Sequence, residues 1–240
     1  MYPNLSFTIY PLSEQALVID FGQRIEFSIH QLVLRCYDHL RANPLPVKHE
    51  WVPAYSSLTL YFDLFALVQH TGDPQPFAYL DKYIREKLSV LPTVLPHEHR
   101  VHSIPVCYDP VLAPDLNACV QRSGLSLEEL IRLHTAIEYQ VCFLGFLPGF
   151  AYMAEVDERI AFPRKQQPAD RVHAGSVGIA GRQTGIYPLA SPGGWQVIGR
   201  TPLHLFDPEK EIPVLFQPGD RVRFYSINHY EFDHYEGGVT

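Results

Sequence analysis

The chain has 240 residues, 46% of them apolar and 19% charged, which describes an ordinary folded globule and excludes an intrinsically disordered one. A net charge of −7 gives no electrostatic case for a nucleic-acid partner. No apolar run reaches the roughly 18 residues a membrane span needs, and MYPNLSFTIY lacks the basic and apolar regions of a secretory signal, so the expectation is a cytoplasmic protein without a membrane partner.

In chain order, Leu5, Phe7 and Ile9 alternate, then Ala16 and Val18, and two strands are predicted. Ile25, Ile29, Leu32, Val33, Cys36, Tyr37 and Leu40 recur at three- and four-residue spacing, predicting an amphipathic helix that Asn43-Pro44-Leu45-Pro46 stops. Val47 to Val52 and Leu58 to Phe62 read as a strand pair. Phe77, Leu80, Ile84 and Leu88 then predict a second helix. With a further strand expected near Val101, the first part reads as an α+β domain, two helices on an antiparallel sheet. Leu91 to Pro96 breaks the pattern and places a domain boundary there, giving 1–96 and 97–240.

Beyond it, Ile104 to Tyr108 reads as a strand and Asp115 to Gln121 as a short helix. Ser126-Leu127-Glu128-Glu129 has the form of a capping box opening a helix over Leu127 to His134. From Glu138 to Ile227 the chain reads as β structure, short apolar runs separated by glycine and proline. The acidic tail HYEFDHYEGGVT is expected to be frayed. The 21 prolines fit such a loop-rich architecture.

Charge is unevenly spread. Residues 159 to 205 hold six bases (Arg159, Arg164, Lys165, Arg171, Arg182 and Arg200) against Asp170 alone; that +5 leaves −12 on the remainder. Such a cationic island favours an anionic ligand or an acidic partner surface. Within it, Arg164 and Arg171 are candidates to clamp a carboxylate or phosphate, set against the commoner reading of solvated surface charges. Gly194 to Thr201 spells G-x-x-x-x-G-R-T, a near miss to a phosphate-binding loop. The lysine is replaced by Arg200 and the intervening Trp-Gln-Val-Ile reads as a strand, so nucleotide binding by such a loop is rejected.

No metal site is expected. His97, His99 and His102 lie close together but have no carboxylate or thiolate partner at ligand spacing, and His229 and His234 sit in what reads as a loose tail. Cys36, Cys107, Cys119 and Cys142 are scattered and read as reduced, buried thiols. Phe143, Phe146, Phe150 and Tyr152, interleaved with Gly145, Pro148 and Gly149, read either as core or as the wall of an apolar pocket. His134, at a helix C-terminus, could be poised near neutrality as an acid or base, or could simply cap the helix. No nucleophile elbow, Ser-His-Asp order or HExxH is present, so the chain reads as a binding module or half an active site.

The motifs FLGFLPGFAYM, PRKQQPADRVHAGSVGIAG, QTGIYPLASPGGWQVIGRTPLHLFDP and PGDRVRF resemble the family of the bacterial 5-oxoprolinase B component, also described as allophanate hydrolase subunit 1 or KipI-like. The resemblance implies a cyclophilin-like β-barrel as the second domain. It further implies a role in a three-part enzyme that opens 5-oxo-L-proline to L-glutamate with ATP as co-substrate, the KipA-like C component being the direct partner and the A component completing the reaction. A KipI-like inhibitor of a sensor histidine kinase and a subunit of an allophanate or urea-processing enzyme are the alternative readings. For a lactam carboxylate and a developing phosphate, His134, Gln183, Thr184, Ser191 and Arg200 are expected to converge on one cleft with Phe146 and Tyr187, His134 supplying the proton.

Overall fold

The computed structural model describes residues 6–22, 26–92 and 100–237. The chain forms two compact units, Met1–Glu98 and His99–Thr240. In the first, strands β1 (Thr8–Ser13), β2 (Ala16–Asp20), β3 (His49–Pro53) and β4 (Ser57–Phe62) form an antiparallel sheet of order β1-β2-β4-β3. Helix α1 (Phe27–Ala42) and helix α3 (Pro76–Ser89) bury the stripes that periodicity pointed to, Val33, Cys36 and Leu40 on one and Leu80, Ile84 and Leu88 on the other. These meet Leu17, Ile19, Leu58 and Leu60 of the two central strands in one core, each side chain worth about 1.5–3 kcal/mol of burial.

Three details depart from the sequence reading. The first strand is shifted towards Ser13, while Leu5 and Ile25 lie outside the described residues. Helix α2 (Leu64–Thr71) was not expected. Its start is fixed by Asp63, whose side chain accepts the Ala66 N–H at 2.9 Å, but eight residues are too few for the apolar repeat to declare itself. The strand near Val101 does not extend this sheet. It is the first part of β5 (Val101–Cys107), which belongs to the second unit and pairs in parallel with β13 (Arg221–Ile227) from Val101↔Arg221 to Cys107↔Ile227.

The second unit is a closed seven-stranded barrel. Between β5 and β13 the chain supplies β6 (Glu138–Leu144), β7 (Ala151–Ala154), β8 (Ala169–Val172), β9 (Ser176–Ala180), β10 (Gln183–Ile186), β11 (Ser191–Gly193) and β12 (Gln196–Arg200). The order round the barrel is β10-β7-β6-β13-β5-β12-β9, with β8 and β11 paired as a separate two-stranded sheet. Helices α4 (Leu116–Ser123) and α5 (Leu127–Thr135) pack Leu116, Leu130 and Leu133 into the barrel core beside Val106, Val141, Met153, Ile179, Ile198 and Phe224. The α5 start is as the sequence indicates, with Ser126 Oγ accepting the Glu129 N–H at 3.1 Å.

The tail is ordered through Gly237, against the expectation of fraying. Helix α6 (His229–Asp233) has a complete capping box between Asn228 and Glu231, and Tyr235 packs against the barrel core. All four cysteines are free and buried, and desolvation pushes the Cys36, Cys119 and Cys142 thiols up to about 12. None of the described helices is long and apolar enough to cross a membrane.

His102 has a structural task. Its Nε2 lies 2.9 Å from Asp220 Oδ2, both side chains being buried. The same carboxylate accepts the Gln217 N–H at 2.9 Å and the Arg100 N–H at 3.2 Å, so it ties the start of β5 to the turn before β13. The other two histidines of that cluster, His97 and His99, lie outside the described residues. Replacing Asp220 by Ala leaves the buried His102 and two partly buried backbone N–H groups unpaired and is expected to lower unfolding free energy by about 3 kcal/mol, measured by urea denaturation.

Candidate functional site

Strand alternation in a closed barrel sends neighbouring residues to opposite faces. On β10, Thr184 and Ile186 pair with Ile179 and Val177 and point inwards, whereas Gln183 and Gly185 pair with Ala180 and Gly178 and point outwards. The expected site residues are divided by this rule into an interior pair and a set on the outer face.

The interior pair is His134 and Thr184, both with no exposed surface. His134 Nε2 lies 3.0 Å from Thr184 Oγ1 and its Nδ1 lies 2.7 Å from the Tyr108 hydroxyl. Thr184 Oγ1 donates its one proton to the Gly178 carbonyl at 3.1 Å, so it can only accept from His134. His134 therefore carries its proton on Nε2, and Nδ1 accepts from Tyr108. Tyr139 donates to the His134 carbonyl at 2.9 Å, and the Phe224 ring stacks on the imidazole at 4.6 Å.

Burial holds the His134 pKa down, from 6.5 to about 3. The helix C-terminus favours the protonated ring by about 0.3–2 kcal/mol, too little to offset complete desolvation. The role expected for His134 as an acid or base near neutrality therefore needs correction. The residue is neutral, sealed from solvent and committed at both nitrogens to holding α5 against β5 and β10.

The outer face presents a different surface. Phe150 is its hub, with Tyr187 edge-on at 5.2 Å, Trp195 edge-on at 5.3 Å and Tyr152 tilted at 4.8 Å. With Val172, Ala180 and Val197 these rings form a small core between the barrel wall and the β8–β11 pair. The glycines here make room for the protein's own rings, not for a ligand. A Cβ on Gly185 would meet the Ala151 carbonyl at 2.8 Å and the Phe150 and Trp195 rings at 3.2 Å, and one on Gly193 would collide with Tyr187. Outside this core, Phe143 stacks on Tyr152 at 4.3 Å and Phe146 stands exposed.

The remaining expected residues are dispersed. Tyr187 is buried, and its oxygen takes the Trp195 backbone N–H. Ser191 lies on β11, its hydroxyl on the Pro192 carbonyl at 3.1 Å. Arg200 pairs with Cys107 and Ser176 on the outer face, its Nε donates to the Ala174 carbonyl at 2.9 Å, and its guanidinium lies over the Phe232 ring at 5.9 Å. A single cleft shared by His134, Thr184, Ser191 and Arg200 does not form, because alternation and the β12 bulge direct Arg200 away from the interior. Arg164 and Arg171 are exposed on the outer side. The Arg164 charge bears on both Tyr152 and Tyr187, whose hydroxyls burial pushes up and Arg164 draws partly back. Lys165 is committed to Asp115, Nζ to Oδ2 at 2.5 Å. Gly194 to Thr201 runs into β12 with Trp195 buried, so these residues do not fit a triphosphate cradle. Among the described residues no cluster suited to a metal ion is found.

Sequence reasoning missed Tyr108, Tyr139 and Phe150 as partners of these residues. The glycine-and-aromatic rhythm signalled close packing of rings, but it did not say which strand face would carry them.

The carboxyltransferase domain family, subdomains C and D, matches residues 7–216. The chain belongs to this family. The B component of 5-oxoprolinase from Bacillus subtilis is 38% identical over 235 residues, 97% of this chain and 98% of that one. A protein of the same name from Escherichia coli O157:H7 is 37% identical, covering 90% and 94%. Among solved structures, TTHA0988 superposes with a TM-score of 0.76 at 37% identity, covering 89% of this chain but 40% of that longer chain. The carboxyltransferase subdomain fold thus occurs both as a chain of this length and inside a longer polypeptide.

The depressed His134 pKa has a signed consequence. Below 6.5 the unfolded chain takes up a proton that the folded chain refuses until about 3. Stability is therefore expected to fall by up to about 1.4 kcal/mol per pH unit across that window. A His134→Gln variant, which cannot titrate, should show a correspondingly shallower slope in urea melts. A His134→Ala variant should lose about 3 kcal/mol at neutral pH by leaving Tyr108 and Thr184 unpaired.

Proposed function

We propose that this chain is the B component of an ATP-dependent 5-oxoprolinase, opening 5-oxo-L-proline to L-glutamate together with the A and C components. The end-to-end match to 5-oxoprolinase proteins of that type carries the reading. The histidine-kinase inhibitor and urea-processing alternatives share the same domain motifs, and neither has an observation of this kind in its favour.

The geometry supports a contributing rather than a self-sufficient role. The histidine that the sequence offered as a proton carrier is sealed in the barrel, while the outer face combines exposed aromatic surface with Arg164 and Arg171. Such a face can hold an apolar moiety and an anionic group together, the combination that a cyclic amide with a carboxylate presents. The lactam is a stabilised amide, and coupling its opening to phosphoryl transfer supplies the driving force. The poor fit of Gly194 to Thr201 to a triphosphate favours ATP being held by another component of the enzyme.

Mixing the purified chain with ATP and 5-oxoproline is expected to release no glutamate, measured by an enzymatic glutamate assay. Addition of the A and C components should restore release. Sustained turnover by the chain alone would overturn this reading of a shared enzyme.

A further inference from the structure

The segment from Phe162 to Pro168 lies as a strap along β12 and the turn that precedes it. Gly181 N–H bonds the Phe162 carbonyl at 2.6 Å, Gln196 Nε2 bonds the Pro163 carbonyl at 2.9 Å, and Lys165 N–H bonds the Gly194 carbonyl at 2.7 Å. Residues 163 and 165 are thus tied to 196 and 194, which sets Arg164 alongside Trp195 in antiparallel register. Beyond Phe162 no side chain of the strap is buried, so polar bonds and not core packing fix that register.

The two cations of the strap are used differently. Lys165 Nζ reaches Asp115 Oδ2 at 2.5 Å, the two side chains being only 19% and 18% exposed. Asp115 is itself fixed, its carboxylate accepting the Val197 N–H at 2.8 Å and its own N–H donating to the Val197 carbonyl at 3.2 Å. A lysine is ordinarily a solvated surface charge, and drawing one inwards costs hydration and side-chain entropy.

Arg164, by contrast, is exposed and makes no ion pair with any described acidic side chain. Its charge acts on the hydroxyls of Tyr152 and Tyr187. Trp195, beside it in register, meets Tyr152 at 5.7 Å and Phe150 at 5.3 Å. An unpaired guanidinium is therefore held at the margin of the aromatic cluster by bonds to the residues before and after it. That combination suits a carboxylate carried on a small ring, the fork taking the anion and the aromatic surface covering the apolar body.

We propose that Lys165 is a positioning residue for substrate binding. Its bond to Asp115 holds the strap in the register that presents Arg164, and Arg164 takes the carboxylate of the cyclic amide. The proposal rests on the function proposed above and adds which cation binds the substrate and what keeps it in place.

The test is the steady-state kinetics of the three-component enzyme assembled with the wild-type chain, with Arg164→Gln, with Lys165→Met and with both changes combined. Loss of a charge-assisted hydrogen bond predicts a rise of about 30-fold in the KM for 5-oxoproline in Arg164→Gln, with kcat held within about twofold. Lys165→Met should raise the same KM about tenfold, because the guanidinium is present but no longer held in place. The combined variant should stay near the value of Arg164→Gln alone, because both changes act through one contact. The KM for ATP should not move. A combined effect of about 300-fold, the product of the two, would show that Lys165 acts independently of Arg164 and would overturn the positioning role. A fall in kcat at unchanged KM would overturn it too, as would a lower melting temperature in Lys165→Met with no change in KM. A rise in the KM for ATP in place of that for 5-oxoproline would assign Arg164 to a phosphate and overturn the carboxylate assignment. If the wild-type mixture turns over and its KM ignores all three variants, this inference falls while the proposed function stands. If the wild-type mixture is inactive, the proposed function falls and takes this inference with it.

Discussion

Closure of seven strands leaves each strand residue of the second unit two places to point, and this constraint sorts its chemistry. Thr184 is drawn inwards and Gln183 outwards although they are neighbours. Bulges change the parity where it matters. The irregularity between Val141 and Phe143 turns Phe143 outwards on to Tyr152 while Leu144 returns to the core. That between Val197 and Gly199 brings Ile198 inwards and puts Arg200 on the outside. An extra residue in one strand is thus what separates the outer aromatic face from the packed barrel core.

Polar groups enter this barrel only with every bond accounted for. The chain from Tyr108 through His134 and Thr184 to the Gly178 carbonyl has one consistent arrangement of protons, which fixes the imidazole as a neutral tautomer. Asp220 meets the same requirement with three donors. A buried polar group without a partner costs about 1–3 kcal/mol, comparable to a sizeable part of a domain's net stability, so such networks rigidify the core. The reactive-looking histidine is in this way converted into a strut.

That outer surface is built in layers. Trp195, Tyr187 and Phe150 are buried under the β8–β11 pair against glycine backbone, Tyr152 and Phe143 lie half-exposed beside them, and Phe146 projects. Packing at the base holds Phe150 in place, and Phe146 meets it edge-on from the exposed side. Edge-to-face geometry runs through the set, at interplanar angles of 82° to 88° about Phe150 for Phe146, Tyr187 and Trp195, the arrangement that aromatic quadrupoles prefer.

The sequence by itself determined what is local. The apolar spacing of α1 and α3, the Ser126 cap of α5 and the alternation of β2 and β4 are written in a few consecutive residues, and each element formed where those signals stood. The long ordered motifs also sufficed to mark the family. Tertiary structure decided what depends on distant partners. Val101 left the first sheet because its pairing partner, Arg221, lies at the far end of the chain. The tail became a capped helix because the barrel wall gave Tyr235 a surface to cover. His134 became structural because Tyr108, 26 residues before it, and Thr184, 50 residues after it, close on its two nitrogens in a dry core. Periodicity records which side chains avoid water, but only barrel closure and its bulges settle which of them meet.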